Sequence, residues 1–166
     1  LNILIKETDE SDLNNIKQLW ADGDVMQFVG FPDGLVQSDA DMKSWYKRIK
    51  AEYPRANHYS IYDDGTYCGE AYYSIDGEHN FLASLDIKLL KHARGKGIGE
   101  KGLRFAIEEA FKHGAEKVFV DPNPKNLKAI ALYEKLLFKR VQCPPHLLEE
   151  VETYKAVYME KENPYF

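Results

Sequence analysis

The apolar positions change their period several times along the chain. Ile3 and Ile5 alternate with polar neighbours as in a short strand ending near Glu7; Ser11 and Asp12 then open a stretch in which Leu13, Ile16 and Leu19-Trp20 recur at helical spacing. The turn-forming run Gly30-Phe31-Pro32-Asp33-Gly34 separates this from a second helical stretch, which Ser38 can cap and which carries Met42, Trp45-Tyr46 and Ile49 before Pro54. Over residues 58–90, β-branched and aromatic runs are broken at Asp63-Asp64-Gly65 and Asp76-Gly77, which predicts an antiparallel meander of three strands joined by tight turns. A basic, glycine-rich stretch over 91–99 leads into an amphipathic helix with Leu103, Ala106-Ile107 and Ala110-Phe111 on one stripe, closed by Gly114. Residues 117–120 then read as a buried strand, 126–136 as a helix, 138–142 and 154–159 as strands, and 143–151 as a loop.

This order describes one α/β (α+β) domain over residues 1–166, with a mixed, mostly antiparallel sheet of about seven strands and about four helices. A hydrophobic share of 44% is enough for one packed core in a chain of 166 residues. The net charge of -5 argues against phosphate-backbone recognition, so no nucleic-acid partner is expected, and an acidic chain suits a cationic one. Cys68 and Cys143 form no C-x-x-C pair and no disulfide framework, which points to a reducing compartment. With no apolar leader in residues 1–7 and no run able to span a bilayer, the expected location is the cytoplasm, without membrane attachment.

The most informative segment is Arg94-Gly95-Lys96-Gly97-Ile98-Gly99, placed between a strand and a helix. Glycines at a helix N-terminus let backbone N–H groups approach an anion, the helix dipole adds positive potential, and Arg94 and Lys96 supplement both. Gly97 to Gly102 also fits G-x-G-x-x-G, with Asp121 near the distance of a ribose-binding acid. A dinucleotide fold needs that turn at the head of a parallel βαβ array, however, and here antiparallel strands precede it. No Gly-Lys pair is followed by Ser or Thr, which excludes a Walker A loop.

Arg94-x-x-Gly97-x-Gly99 resembles the R/Q-x-x-G-x-G/A pyrophosphate loop of the GNAT superfamily of acyl-CoA-dependent N-acyltransferases. Asn126-Leu127-Lys128-Ala129 with Tyr133-Glu134-Lys135 and Phe138 is similar to the N-x-x-A-x-x-x-Y-E-K-x-G-F block of the same superfamily, and the element order fits it across nearly the whole chain. Asp121-Pro122-Asn123-Pro124-Lys125-Asn126 is similar to a run in aminoglycoside 6′-N-acetyltransferases. Asp24 to Val29 is similar to a segment of ribosomal-protein N-terminal acetyltransferases. Leu137 stands where the block usually has Gly; a left-handed Leu costs about 1 kcal/mol, so a different helix ending is expected there.

The resemblance implies acetyl-CoA as co-substrate in a cleft between the fourth and fifth strands. Its pantetheine would pair with Ile87, Lys88 and Leu89, its pyrophosphate would lie on Arg94, Gly95, Lys96, Gly97, Ile98 and Gly99, and Asn126 and Tyr133 would complete the cofactor contacts. A primary amine with pKa near 10.4 must lose a proton before it attacks a thioester. Asp86 and Glu70 are the candidate acids for this, directly or through water, with Asp121 a further possibility; each also reads as a solvated strand carboxylate. Tyr133 is the candidate general acid toward the departing thiolate.

Acceptor selection is expected from Asp24, Trp45, Asp86 and Asp121, within the variable segments 24–34 and 143–151 and the second helix. The acceptor would be an aminoglycoside- or polyamine-like amine, or a peptide N-terminus; the alternative is a module that binds acyl-CoA without turnover. The five histidines, His58, His79, His92, His113 and His146, lack metal-ligand spacing, so no metal is expected. Many relatives pair as homodimers, and no exposed apolar stripe in the sequence marks such an interface.

Overall fold

A computed structural model describes residues 1–166. Strand β1 (Ile3–Glu7) is followed by helices α1 (Leu13–Ala21), α2 (Gly23–Met26) and α3 (Asp39–Glu52). The meander is β2 (Ala56–Asp63), β3 (Thr66–Asp76) and β4 (Leu82–Leu89); then come α4 (Ile98–Lys112), β5 (Lys117–Val120), α5 (Leu127–Lys135), β6 (Lys139–Arg140), α6 (Pro145–Thr153) and β7 (Met159–Glu162). All seven strands form one sheet in the order β1-β2-β3-β4-β5-β7-β6, and only β4 and β5 run parallel. No helix is long and apolar enough to cross a membrane.

Sequence chemistry accounts for most of the boundaries. Ser38 caps α3 by accepting from the Asp41 N–H while the Asp41 carboxylate accepts from the Ser38 N–H, a reciprocal capping box. Asp64 and Gly65 both take positive φ between the paired Asp63 and Thr66, the geometry of the two-residue hairpin turn. The second turn is longer than the Asp76-Gly77 signal implied: the left-handed residues are Asn80 and Phe81, just before β4 begins.

The two faces of the sheet differ. Tyr59, Ile61, Ala71, Tyr73, Ala83 and Leu85 point to one side, where they bury against α4 and α5 in the main core of 22 residues. Alternation sends His58, Ser60, Glu70, Tyr72, Asp86 and Lys88 to the other side, an unusually polar face that α1 and α3 cover. Toward the far edge of that face, Leu147 and Val151 of α6 pack on Leu82, Phe119 and Tyr158.

Several sequence expectations are corrected. There are six helices rather than about four: α2 is a single short turn of helix, and α6 occupies what reads as a loop, because Pro145 at its first position needs no N–H partner. The last strand begins at Met159, since Lys155 turns left-handed behind α6. Leu137 adopts the left-handed conformation (φ 70°) that its side chain disfavours. A complete Schellman ending compensates: the Phe138 N–H donates to Tyr133 C=O at 3.0 Å, the Leu137 N–H donates to Glu134 C=O at 3.0 Å, and Phe138 packs on the Tyr133 ring.

Gly69 sits opposite Leu89 beside the β2 bulge at Ile61/Tyr62, and a Cβ there would overlap the Lys88 carbonyl oxygen and lie 2.9 Å from Leu89 Cα. Two opposite stability changes are therefore expected in urea denaturation. Gly69→Ala should lose about 2–3 kcal/mol, as overpacking against backbone does, whereas Leu137→Gly should gain about 1 kcal/mol.

Candidate active site

The parallel pairing of β4 with β5 is brief: Leu82, Ala83 and Ser84 pair with Lys117, Val118 and Phe119, and there it stops. β5 ends at Val120 and the chain turns off through Pro122, which has no N–H to continue a ladder, while β4 runs on to Leu89. The strands part into a cavity of about 540 Å³, floored by Leu85–Leu89 of β4 and walled by Val25 and Phe28 on one side and by Ala129, Leu132 and Tyr133 of α5 on the other.

The free edge of β4 has a definite phase. The Leu90 N–H donates to Cys68 C=O, and antiparallel ladders turn alternate residues the opposite way, so Ile87 and Leu89 present their backbone groups to the cavity. The Leu89 carbonyl is already taken, accepting from Arg94 Nε at 3.2 Å and Nη2 at 2.9 Å. Arg94 Nη1 also pairs with Asp24 at 2.7 Å. Arg94 and Asp24, expected to contact pyrophosphate and acceptor respectively, are thus joined across the cavity mouth.

Gly97 (φ 79°) is the N-cap of α4 and supplies no capping side chain, so the first N–H groups of the helix lack an intrahelical or side-chain acceptor. Gly95, Gly97 and Gly99 line the cavity, with Lys128 and Lys135 of α5 across from them. The two lysines stand at i and i+7 on α5, a relation that the sequence contained and that went unread, and Lys135 Nζ is paired with Glu100 Oε2 at 3.2 Å. Ile98 is buried under the loop and Lys96 is exposed; neither lines the cavity.

At the other end lie Asp86 and Asp121, the next position on the same sheet face after the paired Ser84 and Phe119. Asp86 is ion-paired to Lys88, two residues along β4. Burial would lower the Lys88 ammonium, but Asp86 and Glu70 outweigh it and hold its pKa above the ordinary lysine value. Asp121 has no cationic partner: it is exposed to the open cavity, yet desolvation by the surrounding protein, then Glu150, then Asp86 push its carboxyl up to about 6. Tyr133 is 7% exposed, and burial followed by the Asp86 and Asp121 charges drives its phenol far above 10. It stays a protonated donor at any working pH. Asn126 caps α5 by accepting from the Ala129 N–H at 3.2 Å and lines the same cavity.

Glu70 and Trp45 are placed elsewhere. β3 is one strand removed from the parting, and Glu70 is 3% exposed beneath α1 and α3. Its Oε2 lies 2.8 Å from His58 Nε2, and its Oε1 accepts from Trp20 Nε1. Desolvation would raise the Glu70 carboxyl, but His58, Lys88 and Trp20 outweigh it and hold the pKa below the usual carboxylate range. Trp45 meets Trp20 and His58 edge-on, at 5.0 and 4.8 Å between centroids, and so roofs this buried pair rather than the cavity. A sealed Glu70 has no direct path to an amine in the cleft. Of the remaining candidates, Asp24, Asp86, Ile87, Lys88, Leu89, Arg94, the three loop glycines, Asp121, Asn126 and Tyr133 share one cavity. His58, the partner that fixes Glu70, carried no motif.

Comparison with known proteins agrees with this geometry. The acetyltransferase (GNAT) family pattern matches residues 22–138. GCN5-related N-acetyltransferase 6, chloroplastic, of Arabidopsis thaliana is 32% identical over 83 residues, which is 50% of this chain but 29% of that protein, so the match spans less than a third of the relative's length. In fold, the chain is similar to spermidine N-acetyltransferase from Vibrio cholerae, solved with CoA and spermine (TM-score 0.79, 17% identity, 97% of this chain and 95% of that one). It is also similar to an aminoglycoside acetyltransferase solved with coenzyme A (TM-score 0.72, 23% identity, 98% and 95%). With the family pattern lying on the very segment that builds the parted strands, the glycine loop and the Tyr133 helix, the chain belongs to the GNAT acetyltransferase family.

Proposed function

We propose that this protein transfers the acetyl group of acetyl-CoA to a primary amine of a small cationic acceptor, in a complex that holds both substrates at once. The observation that carries this reading is the division of one cavity into two electrostatic ends. Uncapped helix amides and Lys128, with Lys135 exchanging Glu100 for a phosphate, suit the phosphates of CoA, and Asp86 and Asp121 suit a protonated amine, with Tyr133 on the wall shared by both. Polyamine and aminoglycoside acceptors are favoured over a peptide N-terminus because both carry several cationic amines to meet Asp86 and Asp121, although proteins of the same fold are named for all three acceptor kinds.

Residues of the chain then divide the work. The glycine loop binds the pyrophosphate, displacing or sharing Arg94 with Asp24. The backbone of Ile87 and the Leu89 N–H pair with the pantetheine arm and hold the thioester carbonyl, where a backbone donor stabilises the oxyanion formed on attack. Asp121 is the better placed of the two acids to take the amine proton: its pKa of about 6 leaves it ionised yet basic at neutral pH, and no cation neutralises it, whereas Asp86 is engaged by Lys88. The neutral nitrogen bonds to the acetyl carbon as the carbonyl electron pair moves onto oxygen; its return breaks the C–S bond and expels sulfur with that electron pair, the nitrogen gives its second proton to solvent, and the thiolate takes the Tyr133 hydroxyl proton, which water restores.

Two variants test the assignments, with thiol release followed in the presence of spermidine and, in parallel, kanamycin. Tyr133→Phe should cut kcat by about 100-fold or more while calorimetric CoA affinity stays within about twofold; an unchanged kcat would remove Tyr133 from the reaction. For Asp121→Asn the expected result concerns pH. The wild-type kcat/KM should rise as pH increases through about 6, and the variant should lose that limb together with most of its activity. Because the folded pKa lies above the unfolded value of 3.8, the contribution of Asp121 to stability is full below pH 3.8 and is lost as pH rises through 6. At pH 8 the variant should therefore melt at a higher temperature than the wild type, and a lower Tm would contradict the raised pKa.

A further inference from the structure

The fold assembles a second set of ligand-type side chains at the opposite end of β4 from the glycine loop. Asp76 ends β3, His79 lies in the turn before β4, and His146 is the second residue of α6. Their potential donor atoms all lie within 4.8 Å of one another. The turn is fixed from below: the Glu78 N–H donates to Asp76 Oδ1 at 3.0 Å, which leaves Oδ2 to face His79 Nδ1 at 2.7 Å. The imidazole of His146 lies directly on that of His79, with centroids 3.8 Å apart and planes 6° from parallel. Stacked in this way the two rings hold their nitrogens side by side, so a shared ion needs the exposed His146 ring to rotate off the stack, a side-chain movement that leaves the backbone of α6 in place.

We propose that Asp76, His79 and His146 bind one divalent transition ion of the Zn²⁺ class, with three protein ligands and an open position for water. Two imidazole nitrogens and one carboxylate oxygen are a borderline donor set that suits Zn²⁺ and its neighbours, whereas Mg²⁺ and Ca²⁺ prefer all-oxygen shells. This replaces the expectation of no metal, which rested on sequence spacing: His79 and His146 come from separate elements, and only the packing of α6 over Leu82 and Phe119 brings them together. The ion would tie the β3–β4 turn to α6, the helix whose Glu150 acts on Asp121. The proposal stands independently of the acetyl-transfer reading.

The test uses the full chain, stripped with a chelator and titrated with Zn²⁺ by calorimetry, with Co²⁺ as a spectroscopic substitute. One ion per chain should bind with a Kd of about 10 µM or tighter, Tm should rise by several degrees at about 100 times that Kd, and Co²⁺ should give visible ligand-field absorption. His146→Gln, at an exposed position, should leave the metal-free Tm unchanged and weaken Zn²⁺ binding by about 100-fold; His79→Ala should do the same, and His92→Ala should have no effect. A wild-type Kd weaker than about 100 µM, or Zn²⁺ affinity that survives in both His146→Gln and His79→Ala, would overturn the assignment.

Discussion

Everything at the candidate site depends on the point where β4 and β5 stop pairing. Beyond Ser84 and Phe119 each strand keeps its place in the sheet through its other neighbour, β3 for β4 and β7 for β5, so the sheet tolerates a gap that would otherwise leave backbone groups unsatisfied. The gap supplies an unpaired strand edge at Ile87 and Leu89, puts Asp86 and Asp121 on facing lips, and leaves room for α5 to aim Tyr133 inward. A bound pantetheine arm would restore the missing pairing. The parting thus leaves free, for a ligand, hydrogen-bonding capacity that an ordinary sheet spends on itself.

The polar face behind the site is the second organising feature. A Glu70–His58 pair with almost no solvent exposure is costly unless fully partnered, and it is: Trp20 donates to Glu70, and Thr8 Oγ1 lies 2.6 Å from His58 Nδ1 and 2.8 Å from Ser60 Oγ. Lys88 extends the array by standing between Glu70 and Asp86, so the charge at the cavity floor is linked to the buried pair one strand away. On this account Glu70 acts on the site only through Lys88. The aromatic roof of Trp20 and Trp45 keeps water from the pair, so α1 and α3 cover these polar residues as well as the small hydrophobic cluster of Ile16, Leu19, Met42 and Tyr67.

How much of this the sequence disclosed follows from the range of the signals involved. Local chemistry was legible: the Ser38 cap, the Asp63-Asp64-Gly65 turn and the glycines at the start of α4 each act within four residues and each appears as read. The resemblance of two separated motifs, around Gly97 and Tyr133, located the cavity. What failed depended on tertiary partners. Glu70 read as a candidate acid beside Asp86, and the two do share a sheet face, but β3 lies one strand away from the gap and Glu70 lies beneath a tryptophan roof, which no local signal shows. α6 was hidden because two prolines resemble a loop until Leu147 and Val151 find Leu82, Phe119 and Tyr158. At Leu137 the missing glycine was noticed, but its consequence was misjudged, since the Tyr133–Phe138 contact and two backbone bonds outweigh the strain.

The most direct test of the account is a crystal structure of the protein with CoA bound. The account predicts the pyrophosphate on the backbone amides of the Gly95 to Gly99 loop, the pantetheine amides paired with the exposed edge of β4 at Ile87, and the sulfur within hydrogen-bonding reach of the Tyr133 hydroxyl. CoA bound away from the β4–β5 parting, or seated there with its sulfur remote from both Tyr133 and the two aspartates, would contradict it.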